Sequence, residues 1–174
     1  MLFRSPKDVK AIVDVAEQLN YDFKLAKASI EVNRLQQDIV VEKSRRLLGG
    51  FDKKVVGLLG LSFKPNTDDT REAPALYIAK KILAEGATVN AYDPVANEEA
   101  SRSLRNVHYF ENAYTACEGA DLVIVATDWN EFKHLDFSRV RDVVRAPNIY
   151  DTRNIYNPQT LREAGFTYLG TGRP

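Results

Sequence analysis

Aromatic and cationic side chains are neighbours in two polar segments of this sequence. Phe63 and Lys64 lie in LSFKPNTDDTREAPA, which also contains Arg71, and Arg153 lies in YDTRNIYNP. A ring offers a flat apolar face, and lysine and arginine offer positive charge, which together suit a base or sugar and its phosphates. We therefore predict a nucleotide-like, phosphorylated ligand near these residues.

A second interpretation stays open for each segment. Asp68 and Asp69 lie beside the cations of the first segment, so its charges can also pair with one another in solvent. Asp69 and Glu72 are spaced like a capping pair ahead of a helix, which predicts that they shape the loop. Arg153 is equally compatible with a surface ion pair to Asp151.

The glycines do not form a dinucleotide fingerprint. Gly57 and Gly60 occur in the apolar run VVGLLGL, but nothing matches GxGxxG or GxxxxGK[ST]. A dinucleotide held by this part of the chain alone is therefore not expected. In TDWNEF, Trp129 close to Phe132 favours a ring packed as a lid over the edge of a sheet.

The composition excludes several classes of partner. The 24 basic and 24 acidic residues cancel, so nucleic acid is not an expected partner. Cys117 is the only cysteine, which excludes an internal disulfide and suits a reducing cytoplasm. His108 and His134 lack metal-ligand spacing, so no metal is expected. No apolar run reaches the length of a membrane span, and no signal peptide is expected, so we expect a cytoplasmic protein without membrane contact.

The first fifty residues have a helical period. The pattern predicts helices over 6–20 and 24–48, the second ending at Gly49 and Gly50. The long helix carries an apolar stripe with spacings of three and four residues, formed by Leu25, Ala28, Val32, Leu35 and Ile39. Either the two helices simply pack on each other, or the long one also supplies a subunit interface, which would form a homodimer, or joins two domains.

From Lys54 onward, short apolar runs alternate with helical segments. The predicted strands are VVGLLGL, ATVNAYD, VHYF, ADLVIVATD, NIYD and FTYLG, and helices are predicted over 74–85, 112–118 and 158–164. This alternation predicts an α/β fold: a helical hairpin (1–50) followed by a doubly wound, mostly parallel Rossmann-like domain (51–174). Ligands bind such sheets outside the carboxyl ends of the strands, where both cationic segments fall.

Several motifs together resemble one family. GLSFKPNTDDTREAPA, AYDP, TDWNEF, YDTRNIYNP and GFTYLGTGR occur in the order seen in UDP-glucose 6-dehydrogenases and related UDP- and GDP-sugar dehydrogenases. SPKDVKAIVDVAEQLNY and EVNRLQ are similar to that family's central helices. The resemblance covers about Ser5 to Arg173. It implies a dimer-forming helical region and a C-terminal domain that binds the nucleotide of a UDP-sugar.

The resemblance also implies chemistry that these residues only partly supply. The family oxidises the C6 hydroxyl twice with two NAD, through a nucleophilic cysteine in a GGSCFPKD-like motif. Arg4 occupies the position of that cysteine, so the chain alone is expected to be inactive. By motif, Asp8 matches the catalytic aspartate, Phe63, Lys64 and Arg153 match substrate contacts, and Arg71 matches a contact to NAD held mainly by another domain.

Two alternatives to UDP-glucose oxidation are left open by the motifs. The first is the same role in a GDP-mannose or UDP-N-acetylmannosamine dehydrogenase, because the motifs specify the family and not the sugar. The second is a non-catalytic, dimeric nucleotide-binding module.

Overall fold

The computed structural model of the chain describes residues 6–173, which form helices and a single sheet. The helices are α1 (Pro6–Gln18), α2 (Lys24–Leu48), α3 (Pro74–Ala84), α4 (Asn97–Ser103), α5 (Ala113–Cys117), α6 (Asn130–Lys133), α7 (Phe137–Val143) and α8 (Pro158–Glu163). The strands are β1 (Val55–Leu59), β2 (Thr88–Tyr92), β3 (Val107–Tyr109), β4 (Leu122–Val125), β5 (Asn148–Asp151) and β6 (Thr167–Gly170). None of the described helices is both long and apolar enough to cross a lipid bilayer.

The residues group into two compact units that divide inside α2, between Ile39 and Val40. In the first unit, α1 and the start of α2 form the predicted helical hairpin. Lys27 Nζ on α2 lies 3.0 Å from Glu17 Oε1 on α1, across the turn that joins the helices. The prediction of a domain boundary at residue 50 stays a prediction.

Helix α2 presents two different faces. Its C-terminal half buries Val40, Val41 and Ser44 in the second unit, whereas Leu25 and Leu35 are 77% and 50% exposed. At about 100° per residue, the predicted apolar stripe lies roughly 140° around the helix from its buried face. The stripe is therefore solvent-exposed in the single chain.

Glycines end α2 as predicted. Gly50 N donates to Arg45 O and Gly49 N donates to Arg46 O, and both glycines have positive φ. These are the paired hydrogen bonds of a Schellman motif, which needs a left-handed residue after the helix. The chain then turns toward β1.

The second unit contains a six-stranded, wholly parallel sheet with the order β3-β2-β1-β4-β5-β6. The predicted doubly wound fold is confirmed. The apolar runs form strands because both faces of the sheet are covered. One face packs with α3 and the end of α2, and the other with α5, α7 and α8. The chain starts at β1 and winds outward in both directions, so the strand order reverses between β1 and β4.

Two local expectations differ from the structure. The helices α4, α6 and α7, each of seven residues or fewer, have no predicted counterpart. The predicted capping pair ahead of α3 is wrong. The N-cap is Ala73, which makes no side-chain cap, and Glu72 has φ 59°. Pro74 at the first turn, as expected, opens the helix.

Candidate functional site

The loops that follow β1 and β4 meet at the point where the strand order reverses. In doubly wound sheets this switch point is where ligands bind. Here Gly60 (φ 94°) lies against Thr127: a Cβ placed on the glycine would be 2.5 Å from Thr127 Cβ. Thr127 Oγ1 also donates to Ser62 O at 2.6 Å. The two loops thus touch where a dinucleotide fold has an open, glycine-lined turn.

A buried carboxylate fixes the start of the loop after β1. Asp93, directly after β2, is 1% exposed, and its Oδ2 accepts hydrogen bonds from Leu61 N, Ser62 N and Ser62 Oγ. Its Oδ1 accepts from Val95 N and Ala96 N. Burial alone would raise the pKa of Asp93, but the N–H donors led by Ser62 and Leu61 outweigh it and hold that pKa below its usual range.

Trp129 joins the same cluster from the loop after β4. Its Nε1 lies 3.1 Å from Asp93 Oδ2 and 3.1 Å from Ser62 Oγ. Its ring is 8% exposed and packs in the core layer that contains Phe132. The prediction that Trp129 packs over the sheet edge is confirmed, and its N–H adds a polar anchor.

Phe63 and Arg153 lie together, although ninety positions separate them in the chain. Phe63 packs against the core, and its N–H donates to Asp69 O at 2.8 Å. Its carbonyl oxygen accepts from an Arg153 terminal nitrogen at 3.3 Å. Arg153 therefore reaches from the carboxyl end of β5, across β4, to the loop that follows β1.

The side chain of Arg153 also has a carboxylate neighbour, Asp128. Its Nε lies 3.5 Å from Asp128 Oδ1, within ion-pair range, and its side chain is 20% exposed. That Nε is buried and makes no hydrogen bond with any described residue. Asp151 accepts the backbone N–H of Arg153, and the guanidinium points elsewhere. The alternative of a surface pair with Asp151 is therefore wrong.

Lys64 and Arg71 differ in their surroundings. Lys64 is exposed directly after Phe63. The guanidinium of Arg71 forms a bidentate pair with Asp69, at 2.9 Å and 2.8 Å, and this pair raises the pKa of Arg71. Asp69 Oδ1 also accepts the backbone N–H of Arg71. The alternative prediction, that the charges of this loop pair with one another, is therefore confirmed for Arg71.

A second buried aspartate organises the loop after β5. Asp151 is fully buried and accepts from Arg153 N, Tyr156 N and Tyr168 Oη. Burial, followed by the charge of Asp151, raises the pKa of the Tyr168 hydroxyl to about 12. Asp93 and Asp151 thus fix two loops at the same edge of the sheet.

The residues relevant to catalysis, Asp8, Arg4 and Cys117, lie far apart in the sequence or outside the described residues. Asp8 is an exposed residue of α1, in the first compact unit, and Arg4 lies outside the described residues. Cys117 is buried, and burial raises the pKa of its thiol to about 12. A thiol in that state is not a nucleophile near neutral pH. In residues 6–173, no group of three His, Cys, Asp or Glu side chains is placed to hold a metal.

Sequence reasoning missed the residues that hold the site together. They lie at or just beyond the end of a strand, and each has a polar side chain that contacts another loop or strand: Ser62, Asp93, Thr127, Asp128 and Asp151. One signal was available, because both YDP and YDT place an aspartate at the end of an apolar run. Which loops these side chains join depends on the strand order.

Comparison with known proteins places the same region in a defined group. The family described as UDP-glucose/GDP-mannose dehydrogenase family, UDP binding domain, matches residues 57–158, more than half of the chain. UDP-glucose 6-dehydrogenase YwqF of Bacillus subtilis is 42% identical over 169 residues, covering 97% of this chain and 38% of that protein. UDP-glucose 6-dehydrogenase of Pseudomonas aeruginosa is 39% identical, covering 97% and 39%.

Solved structures agree with the fold. A UDP-glucose dehydrogenase from Pyrobaculum islandicum superposes with a TM-score of 0.83 at 34% identity, covering 97% of this chain and 37% of that one. A UDP-D-ManNAc dehydrogenase from Pyrococcus horikoshii gives 0.76 at 28% identity, with the same coverage. The chain spans less than two fifths of the length of these relatives.

Proposed function

Because the chain belongs to the UDP-glucose/GDP-mannose dehydrogenase family, we propose that it is the nucleotide-binding part of an NAD-dependent UDP-glucose 6-dehydrogenase. Such an enzyme converts UDP-glucose to UDP-glucuronate by two oxidations at C6, with two NAD per turnover. In this proposal the sheet domain holds the UDP portion of the substrate, and the helical region belongs to a dimer interface.

One observation carries the proposal: the contact between Arg153 and the Phe63 carbonyl. It brings together an aromatic ring, an exposed lysine and a largely buried arginine with an unused N–H, at the edge where such sheets bind ligands. The ring of Phe63 offers an apolar surface to a base or sugar. Lys64 and the free donor of Arg153 offer hydrogen bonds and charge to the nucleotide.

Among the described residues, we assign only one, Arg71, to a contact with NAD. The described residues lack a glycine-rich turn, and the contact between Gly60 and Thr127 occupies the place of one. Arg71, exposed and held by Asp69, is the residue we assign to a contact with NAD that the rest of the enzyme binds. The bound cofactor supplies the hydride acceptor for both oxidations.

The nucleophilic step needs a thiolate that these 174 residues do not offer. Arg4 stands at the nucleophile position, and Cys117 is buried with a raised pKa. We assign Asp8 to the proton and water steps by its place in the PKD motif. A polypeptide of these 174 residues alone is therefore expected to bind nucleotide without oxidising the sugar.

A UDP-N-acetylmannosamine dehydrogenase is the second candidate, because a relative with that type of substrate shares the fold at 28% identity. The two candidates share the UDP moiety and differ in the sugar. GDP-mannose is the third possible substrate class in this family. Competition between UDP and GDP for the site separates the third from the first two.

A homodimer through residues 24–48 is the assembly we propose. The support is the exposed apolar stripe of α2, where Leu25, Val32, Leu35 and Ile39 are each at least 39% exposed. Apolar side chains that recur at helical spacing on one exposed face favour burial against a second copy.

Titration calorimetry of the 174-residue chain with UDP tests the proposed function. Arg153→Ala and Lys64→Ala are each expected to weaken UDP binding by about ten-fold, the effect of losing one charge-assisted hydrogen bond. Arg105→Ala is the matched control, because Arg105 is exposed and precedes β3, at the opposite edge of the sheet. Unchanged affinity in both site variants would remove these residues from the site.

A further inference from the structure

The guanidinium of Arg153 is held between two oxygen acceptors without being saturated by them. One terminal nitrogen donates to Phe63 O at 3.3 Å, a long hydrogen bond. Nε lies 3.5 Å from Asp128 Oδ1 and forms no hydrogen bond with the described residues. An arginine offers five N–H donors in a planar fork, so Arg153 keeps donor capacity for an anion.

Asp128 is fixed in place by its neighbours in the chain. Thr127 bonds through its hydroxyl to Ser62 O, and Trp129 bonds through its indole to Ser62 Oγ and to Asp93. The backbone on both sides of Asp128 is thereby tied to the loop after β1. The side chain of Asp128 is 40% exposed. Its carboxylate therefore lies at the solvent-exposed rim of the site, beside the largely buried Arg153.

A carboxylate in this position acts against an anionic ligand. It neutralises part of the charge of Arg153, and it repels phosphate oxygens that approach the same guanidinium. Resting on the proposed function, we propose that Asp128 sets the affinity of the nucleotide site by competing with the ligand's phosphates for Arg153. Asp128 is thus an affinity-determining residue that neither contacts the base nor takes part in the oxidation.

The charges of Asp128, Arg153 and the ligand phosphates determine whether replacing Asp128 strengthens or weakens UDP binding. Asp128→Asn keeps the size of the side chain and removes its charge, so UDP should bind about three- to five-fold more tightly at low salt. The gain should shrink at high ionic strength, because part of the site is open to solvent. In an Arg153→Ala background the gain should vanish, since the cation for which Asp128 competes is absent.

The test is a double-mutant cycle with UDP as the probe, measured by calorimetry on the 174-residue chain at low and high salt. Asp142→Asn is the control, because it makes the same change in net charge at an exposed aspartate on α7. The proposal is supported if Asp128→Asn binds UDP more tightly, Asp142→Asn does not, and the gain disappears in the Arg153→Ala background. Unchanged or weaker binding by Asp128→Asn overturns it, since weaker binding would make Asp128 a support for Arg153 instead of its competitor.

The same cycle separates this inference from the proposed function. If Arg153→Ala weakens UDP binding and Asp128→Asn does not strengthen it, only the role of Asp128 is contradicted. If Arg153→Ala and Lys64→Ala both leave UDP binding unchanged, or the parent chain binds no UDP at millimolar concentration, both proposals are contradicted. A gain of equal size in Asp142→Asn would show a general charge effect and would also overturn the role of Asp128.

Discussion

The indole Nε1 of Trp129 and the carboxylate of Asp93 lie 3.1 Å apart, although they follow strands that are not adjacent in the sheet. Trp129 follows β4, Asp93 follows β2, and β1 runs between them. The hydrogen bond crosses the end of β1, where Ser62 completes the cluster. The carboxyl ends of three consecutive strands are thereby tied around the loop that carries Phe63 and Lys64.

Trp129→Phe should destabilise the chain through the lost indole donor. The ring stays large and apolar, whereas Asp93 and Ser62 lose one hydrogen bond in a buried position. The expected loss is about 1–2 kcal/mol in the free energy of unfolding, measured by urea denaturation. Tyr92→Phe is the control, because the Tyr92 hydroxyl bonds to the exposed Glu131. An equal loss in the two variants would contradict a special role for the buried cluster.

Asp93→Asn should give a pH-dependent loss of stability. The pKa of Asp93 is lower in the folded state than in the unfolded chain, where an aspartate titrates at about 4. The ionised carboxylate therefore stabilises the fold fully above that unfolded pKa. This stabilisation is lost as the pH falls through the lower folded-state pKa. Near pH 7 the variant should lose about 2–3 kcal/mol. The difference in unfolding free energy between parent and variant, measured by urea denaturation, should become smaller below about pH 4. A gap that stays constant down to the acid limit would contradict the ionised role of Asp93.

Gly60→Ala tests the close approach of the two loops. Gly60 has φ 94°, and an added Cβ would lie 2.5 Å from Thr127 Cβ. The strained φ and the clash should together cost about 3 kcal/mol or more in thermal or urea unfolding. Gly119→Ala is the matched control, with φ 65° and only the end of Arg145 near the added atom, at 3.9 Å. Equal losses would show that backbone strain alone matters and that the contact with Thr127 does not.

Arg71→Ala should leave UDP binding by the 174-residue chain within about two-fold of the parent. Arg71 is exposed and already paired with Asp69, and we assign it to a different ligand. Lys64→Ala, in the same loop, provides the contrast with its expected loss of affinity. A weakening by Arg71→Ala comparable to that of Lys64→Ala would place Arg71 in the nucleotide site and contradict the assignment.

Leu35→Asp should convert the proposed dimer into a monomer. The substitution puts a charge into the exposed apolar stripe of α2, where Leu35 is half exposed in the single chain. Sedimentation equilibrium should show association weakened by about ten-fold or more, because the charge would be buried at the interface. Val95→Asp is the control at an exposed apolar residue after β2. A parent chain that stays monomeric at high micromolar concentration would contradict the dimer.

The sheet could be predicted from the sequence because its strands are continuous apolar runs. NIYD forms β5 within its predicted bounds, and the observed β1 and β4 lie inside longer predicted runs that include the first loop residues. These ends were misjudged because Leu61 and Ala126 are as buried as the strands themselves. Apolar character indicates burial, and it does not show where the ladder of hydrogen bonds stops.

The candidate site could be predicted only in part. The aromatic and cationic residues were found because their types indicate a ligand, and the placement of Arg153 near Phe63 followed from the rule for strand ends. The pairing of Arg71 with Asp69 was left open because exposed charges can pair in several ways. Asp93 was not recognised because its donors come from three loops, which only the strand order brings together.

A single side chain that accepts amide protons from two loops also has a consequence for how the site moves. The amides of Leu61, Ser62, Val95 and Ala96 all end on Asp93. Each of these amide protons can exchange with solvent only after its hydrogen bond to the Asp93 carboxylate has broken. Because all four bonds end on one side chain, the two loops should open as one cooperative unit. The hydrogen-exchange rates of these amides should therefore rise together when Asp93 is replaced, and the two loops should behave as one rigid unit beside the proposed nucleotide site.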